Sequence, residues 1–413
     1  MTGREQTATS PLLRRLNAVT VLNVLRRSGA LTGAELMDAT GLSRPTVHTV
    51  CDQLIALGWV SELEGRRPAN RTGTGRPARC YELNANAGCV IGMDLGANKV
   101  TAVLANLRGD ALAETTRVFS GEHADAKERI ATARRVITAL LGAAGVPATA
   151  LLTVAIGVAA PVDDQGRVIA KESYLPGMAA TDVRARIGRG ASWTVILEND
   201  ANLAVVGERW RGVATGSENV VLLLAGERLG AGLFLGGRLI RGASGGAGEM
   251  AFLELVKEVG NTDAIGGMAR ALGRLRVLAA DPSVPPSAGS LLALSRGDPD
   301  RVEAETVFEA ARAGDPMALA VITGIADRMA RVIAVFGTLL NPDLVVIGGA
   351  VAASADLLME PIAGRLPDYT STPPLVLATG LGDHGVVTGA IRLALDKVET
   401  TMLLDDVRDA AEA

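Results

Sequence analysis

Cysteine is nearly absent from this chain: Cys51, Cys80 and Cys89 are the only three in 413 residues, and no two stand as CxxC. An odd count without that spacing argues against a disulfide framework and a zinc knuckle, and it fits a reducing compartment, so a cytoplasmic protein is expected. Aromatic residues are scarce as well, at 3%, so the cores must be built from Ala, Val, Leu and Ile. The opening MTGREQTATSPLLRRL has no apolar stretch behind its charges, so no signal peptide is expected. The uncharged run from Val136 to Val162 is long enough to span a bilayer. Gly142, Gly145 and Pro147 nevertheless divide it into a helix end, a turn and a strand, and no membrane span is expected.

What is present is an ordinary globular composition, 48% hydrophobic and 21% charged, at a length that calls for two or three domains. Its net charge of −4 is unevenly placed. Residues 1–83 hold 11 Arg, no Lys and 7 acidic residues, so +4, whereas the remainder holds 30 basic and 38 acidic residues, so −8. A basic head on an acidic body implies that the head alone meets a polyanion.

The head reads as a helix-turn-helix with a wing. Residues Leu12 to Arg27 place Leu13, Leu16, Val19, Leu22 and Val24 at mostly helical spacing, and Gly29 closes the segment. Thr32 then caps a short helix carrying Leu36, Gly41 breaks it, and Ser43 caps a second helix with Pro45 in its first turn. Val47, Val50, Leu54 and Leu57 are expected to face the core. Ser43, Arg44, Thr46, His48, Thr49 and Gln53 crowd the start of that helix, where a recognition helix meets base edges. After Trp59 and Val60 come two short strands joined by a loop with Arg66, Arg67, Arg71, Arg76 and Arg79, a β-wing that suits phosphates or a minor groove. His48 and Cys51 stand at i, i+3 but lack further partners, so no metal site is expected there.

From Cys89 the texture becomes strand, glycine-bearing turn, strand, turn, strand, and the same rhythm returns at NVVLLLAGERLGAGLFLGGRLIRGAS. A duplicated α/β unit is therefore expected. Asp94 stands at the end of the first strand of the first unit. In WTVILENDANLAVVGERW a strand runs into Asn199 and Asp200, which open a helix, a common place for a ligand-holding carboxylate. The stretch GGRLIRGASGGAGEMAFLEL sets six glycines ahead of Glu249 and then turns apolar. Taken singly, Asp200 would be a helix cap and Glu249 a solvated loop residue.

Together the segments DLGANK, APVDDQGRV, LPGM, ENDANLAVVGE, LGAGLFLGGRLIRGASGGAGE and NPDLVVIGGAV resemble the ROK (repressor, open reading frame, kinase) family. With the head in front, the chain resembles ROK transcriptional regulators from about residue 12 onward. The resemblance implies an α/β fold, a duplicated actin-like ATPase (sugar kinase) fold with an N-terminal winged helix-turn-helix domain. The expected divisions are a DNA-binding domain at 1–83, a two-lobed sensing domain at 88–400 and an acidic tail at 401–413.

The resemblance also assigns roles. Asp200 matches the kinases' base, and Asn199 and Glu249 match residues that hold sugar hydroxyls through strong charge-assisted bonds. The phosphate loops depart from the kinase pattern. The first keeps Asp94, Gly96 and Lys99 but has Ala97 and Asn98. The second reads GERLGAG, with Glu227 and Arg228 ahead of Gly230 where the kinases have Thr and Gly. A carboxylate about 4 Å from a phosphate charge costs roughly 4 kcal/mol at an effective dielectric near 20, about a thousandfold in affinity. The zinc pattern is missing too: Phe252 takes the place of the family's histidine, and no cysteine follows Cys89. No cofactor and no metal are expected. The apolar MAFLEL segment should pack where the metal would anchor the loop.

Two readings follow. One is a regulator, most simply a repressor, that binds operator DNA as a homodimer or homotetramer and senses a small effector, a sugar or a derivative. The other is a sugar kinase carrying a DNA-binding head, in favour of which Asp94, Asn199, Asp200 and Glu249 are retained.

Overall fold

The computed structural model describes residues 10–63, 79–120, 124–169, 175–226, 228–256, 259–281, 283, 285–349 and 354–412. The head comprises α1 (Ser10–Ser28), β1 (Leu31–Thr32), α2 (Gly33–Thr40), α3 (Arg44–Ala56), β2 (Val60–Leu63) and β3 (Cys80–Leu83). Its strands form one antiparallel sheet in the order β1-β3-β2. Thr32 caps α2 through a full capping box with Glu35, and the Ser43 side chain accepts from Thr46 N at 3.4 Å to start α3.

The apolar residues of the head are covered over part of each helix. In α1 the buried face is Ala18, Val21, Leu22 and Leu25, whereas Leu13 and Leu16 are about half exposed, because only the second half of the helix is covered. In α3 the buried residues are Val47, Val50, Cys51 and Leu54. Leu57 lies beyond the helix as its C-cap and is 45% exposed.

The first body unit holds β4 (Cys89–Leu95), β5 (Lys99–Asn106), β6 (Ala111–Val118), α4 (Ala126–Ala144), β7 (Leu151–Val158), α5 (Val183–Ile187), β8 (Thr194–Asn199) and α6 (Asp200–Arg211). The second holds β9 (Val220–Ala225), β10 (Leu229–Leu235), β11 (Arg238–Leu239), α7 (Ile265–Leu278), α8 (Leu291–Leu294), α9 (Ala304–Arg312), α10 (Pro316–Leu340), β12 (Leu344–Gly348), α11 (Ala355–Arg365), β13 (Leu375–Ala378) and α12 (Gly385–Glu412). The sheets run β6-β5-β4-β7-β8 and β11-β10-β9-β12-β13. In each, the first three strands in sequence are antiparallel and the last two add in parallel. Two sheets with the same order and the same sense are the expected duplication.

Helices α6 and α12 pack on each other so closely that a Cβ on Gly389 would stand 1.8 Å from Leu203 O, a separation only glycine allows. Residues expected to form a separate acidic tail continue α12 as helix to Glu412. The apolar core of the head is continuous with the body: Val21, Leu25 and Leu54 belong to the same buried cluster as Val90, Ala390 and Val398. Among the described residues no helix is long and apolar enough to cross a membrane.

Candidate functional site

Asp94 lies one residue from the end of β4, and Asp200 follows directly on the end of β8 as the first residue of α6. Strands β4, β7 and β8 are parallel, so both carboxylates arrive at the same sheet edge, the carboxyl edge at which α/β sheets bind ligands. Burial pushes the Asp200 carboxyl up to about 7, with the charges of Asp94 and then Glu249 adding to it. Burial likewise raises Asp94 to about 6, opposed by Lys99 and assisted by Asp383. Glu249, at the exposed rim, is raised by partial desolvation. Asp200 therefore feels the charges of the other two carboxylates predicted from separate motifs. Hydrogen-bond donors would relieve this repulsion.

The supporting residues were not evident from sequence. Glu198, 5% exposed, accepts from Asn202 Nδ2 at 3.0 Å and from Arg241 Nε at 2.6 Å. Its bond to Arg241 ties the glycine-rich segment to the start of α6. Within that segment Gly245 (φ +77°) lies against Val162 O and Gly248 (φ +88°) against Ala231 O. A Cβ at either would stand 2.0 Å from that oxygen. These glycines therefore seat the loop that delivers Glu249.

Asn199 has bonds within the fold: its Oδ1 caps α6 by accepting from Asn202 N at 3.1 Å, and its Nδ2 donates to Ala160 O at 3.2 Å, leaving one amide N–H uncommitted by these bonds. The N-cap of α6 is thus Asn199, while Asp200 Oδ1 accepts from Ala201 N at 2.8 Å.

In the first loop, Arg129 of α4 donates to the carbonyls of Gly96 and Ala97, fixing the turn between Asp94 and Lys99. The Lys99 ammonium faces Asp383 at 3.7 Å, and Asp383 in turn meets His384 Nδ1 at 2.9 Å. In the second loop Glu227 lies outside the described residues. Arg228 forms a backbone bridge with Asp263, and Gly230 packs beside Ala201 of α6.

Zinc does not fit the segment after Glu249. Met250, Leu253, Val259 and Ala264 are buried there, and all three cysteines are buried elsewhere. No group of three potential ligands occurs among the described residues. Phe252 lies in the short 3₁₀ helix Met250–Leu255, and its side chain is outside the described residues. An open hollow of about 400 Å³ beside Arg331, Leu339 and Tyr369 contains none of the predicted site residues.

In the head, Ser43, Arg44, Thr49 and Gln53 are exposed and Thr46 is half-buried at the start of α3. His48 is half-buried, and its Nδ1 pairs with Tyr81 Oη of β3 at 2.8 Å, so this side of the ring is engaged within the head. Arg66, Arg67, Arg71 and Arg76 lie outside the described residues. Arg79 is ion-paired with Asp52 and Glu62.

Comparison with known proteins agrees with this geometry. The MarR family profile matches residues 13–68, and the ROK family profile matches residues 90–397. A glucokinase of Halalkalibacterium halodurans is 34% identical over 47% of this chain and 62% of its own length. A xylose repressor of Caldicellulosiruptor bescii is 23% identical over 93% of this chain and 96% of its own. A crystal structure of a ROK family transcriptional regulator, described as a homologue of the E. coli MLC protein, superposes with a TM-score of 0.76 at 22% identity. That match covers 95% of this chain and 99% of the other. Because the matched region is well over half of its length, the chain belongs to the ROK family.

Proposed function

We propose that this chain is a ROK transcriptional regulator that binds operator DNA through the N-terminal winged helix-turn-helix and senses a sugar or sugar derivative in the body. The observation that carries the reading is the joining of an exposed, basic recognition-helix start to a carboxylate cleft through a continuous core. The full-length similarity to a protein named as a xylose repressor supports it. Asp200 and Glu249 would accept hydroxyl protons from the effector, with the remaining Asn199 N–H as a donor. Asp94, Lys99 and Asp383 would stand at the floor.

ATP use is disfavoured by Glu227 and Arg228, which replace a hydroxyl and a bare backbone, and by the Lys99 ammonium being held toward Asp383. The effector acts only through unequal affinity for two arrangements of the body. Helices α6 and α12 give it a route, since α6 begins at Asp200 and α12 runs from the Asp383 turn to the head. A symmetric dimer would read half-sites spaced by roughly 34 Å or multiples of it.

The kinase reading keeps one specific point in its favour: a carboxyl at about 7 in the position of Asp200 suits a general base. The deciding experiment titrates the full chain onto its own upstream DNA with and without a panel of sugars, and measures ATP consumption in parallel. A sugar that shifts DNA affinity without ATP turnover is expected. Sugar-dependent turnover that disappears in Asp200→Asn would establish the kinase instead.

A further inference from the structure

The family resemblance implies a metal-anchored loop after Glu249, yet the sequence there has no Cys or His, and no group of three potential ligands occurs among the described residues. Another group occupies the centre of that region. Arg328, in the middle of α10, is 6% exposed and uses all three of its guanidinium nitrogens on backbone carbonyls of one loop. Nε donates to Val259 O at 2.5 Å, Nη1 to Asp263 O at 2.7 Å, and Nη2 to Asn261 O. A planar fork of five N–H donors is the side chain best suited to gather several carbonyls from one turn.

The same loop joins the second glycine loop. Leu229 N donates to Thr262 O at 2.9 Å, and Arg228 bridges to Asp263, so residues 259–263 extend the edge of the second glycine loop. The loop is braced by Asn261, whose side chain donates to the Asp263 carboxylate and accepts from Asp263 N. Val259, Ala264 and Ile265 close it from below as buried apolar residues.

We infer that the Arg328 guanidinium takes the place of a structural metal in this chain, anchoring residues 259–264 and through them holding the start of β10 at the cleft. The exchange has a chemical logic. A metal gathers side-chain thiolates and imidazoles, whereas a guanidinium gathers backbone carbonyls, so the loop sequence is freed from any requirement for Cys or His. Burying a cation this deeply requires acceptors on every nitrogen, and the three carbonyls supply them. The anchor is also indifferent to chelators and to thiol oxidation, unlike a cysteine-bound zinc.

The test uses the full chain. Protein treated with excess chelator and protein supplemented with zinc are compared by metal content and thermal melting. The expected result is zinc far below one per chain and the same melting temperature in both. Stoichiometric zinc, or a melting temperature that falls on chelation, would overturn the inference.

Hydrogen exchange then reads the anchor directly. Arg328→Met, which keeps the stem and removes the donors, is expected to speed exchange at Leu229 and across 259–264 by about tenfold or more while leaving α3 unchanged. Arg328→Lys, which can reach fewer carbonyls, should fall between the two. Unchanged exchange at Leu229 in both variants would sink the proposal. If the Met variant fails to fold, the Lys variant decides alone: faster exchange confined to 229–231 and 259–264 supports the anchor, and wild-type exchange there rejects it.

Discussion

Arg26 of α1 and Glu399 of α12 form an ion pair whose side chains are only 3% and 4% exposed, although they stand 373 residues apart. The pair is embedded in further bonds. Arg26 Nε donates to Leu107 O at 2.8 Å, and Asn23 Nδ2 donates to the second Glu399 oxygen at 3.3 Å. Arg392 approaches Glu399 at 3.7 Å. The head is therefore joined to the body by a buried polar junction on the helix whose other end adjoins Asp383 and the cleft. A rearrangement that shifts α12 at the cleft cannot leave α1 unaffected without breaking this junction.

Glu399→Ala leaves the Arg26 charge buried without its partner, a change that costs about 3–5 kcal/mol in comparable pairs. The variant is expected to unfold at clearly lower urea concentration and to bind operator DNA without an effector response. Asn23→Ala, which removes the 3.3 Å bond to Glu399 and the 3.2 Å bond that Arg26 Nη1 donates to Asn23 Oδ1 but leaves both charges paired, should cost less, about 1–3 kcal/mol. Equal urea midpoints for wild type and Glu399→Ala would show that the junction contributes nothing.

Asp200 gives a pH dependence of definite sign. Its folded-state value of about 7 lies above the ordinary 3.8, so the folded chain holds a proton that the unfolded chain has released between these limits. Stability attributable to this group therefore falls as pH rises from about 4 to 7 and is level above. At 1.36 kcal/mol per pH unit the span has an upper bound of roughly 4 kcal/mol, reduced by solvent access and by coupling to Asp94. Asp200→Asn should consequently raise the melting temperature at pH 8 and leave it nearly unchanged at pH 4. The same variant loses the effector response. A melting curve at pH 8 lowered by the substitution would contradict the repulsion described for the cleft.

The carboxylates were legible in the sequence because each sits in a motif that also marks an element boundary: Asp94 at a strand end, Asp200 between strand and helix, Glu249 after a run of glycines. What holds them was not legible. Glu198 is a charged residue directly after the apolar run Val195-Ile196-Leu197 of a strand, which is a signal, but its partner Arg241 lies 43 positions away and no local pattern links them. Arg129 and Arg328 look like ordinary helix-surface arginines until the fold brings a loop's carbonyls around them. The partner of His48 was equally hidden: its spacing places it on α3, and only the pairing of β3 brings Tyr81 within reach. The exposed Leu57 shows the same limit, since periodicity gives a helix an apolar face but not the point at which the helix ends.

Breaking the Glu198–Arg241 pair tests whether loop seating matters to sensing. Arg241→Met keeps the stem and removes the donor, leaving one oxygen of a carboxylate that is 6% exposed without its partner. A loss of about 1–3 kcal/mol in stability is expected. Effector affinity should fall by about tenfold or more as Glu249 loses its fixed position. Operator affinity in the absence of effector should be unchanged, because neither residue touches the head. Isothermal titration with the active sugar and a DNA-binding curve separate the two effects. A variant that senses normally would mean that the loop is seated by Gly245 and Gly248 alone.

The head separates reading from support. Arg44 is exposed at the first turn of α3, whereas His48 is bonded to Tyr81 inside the fold. Arg44→Ala is expected to weaken operator binding by about 1–3 kcal/mol, roughly 5-fold to 150-fold, with an unchanged melting temperature. His48→Ala removes a half-buried ring and leaves the Tyr81 hydroxyl without its partner, so its main effect should be a loss of about 1–3 kcal/mol in stability. At a temperature where His48→Ala remains folded, its preference among operator variants should match wild type, because no base contact has been lost. If His48→Ala instead changes which base pair is preferred at one operator position while Arg44→Ala does not, the recognition surface lies on the other flank of α3.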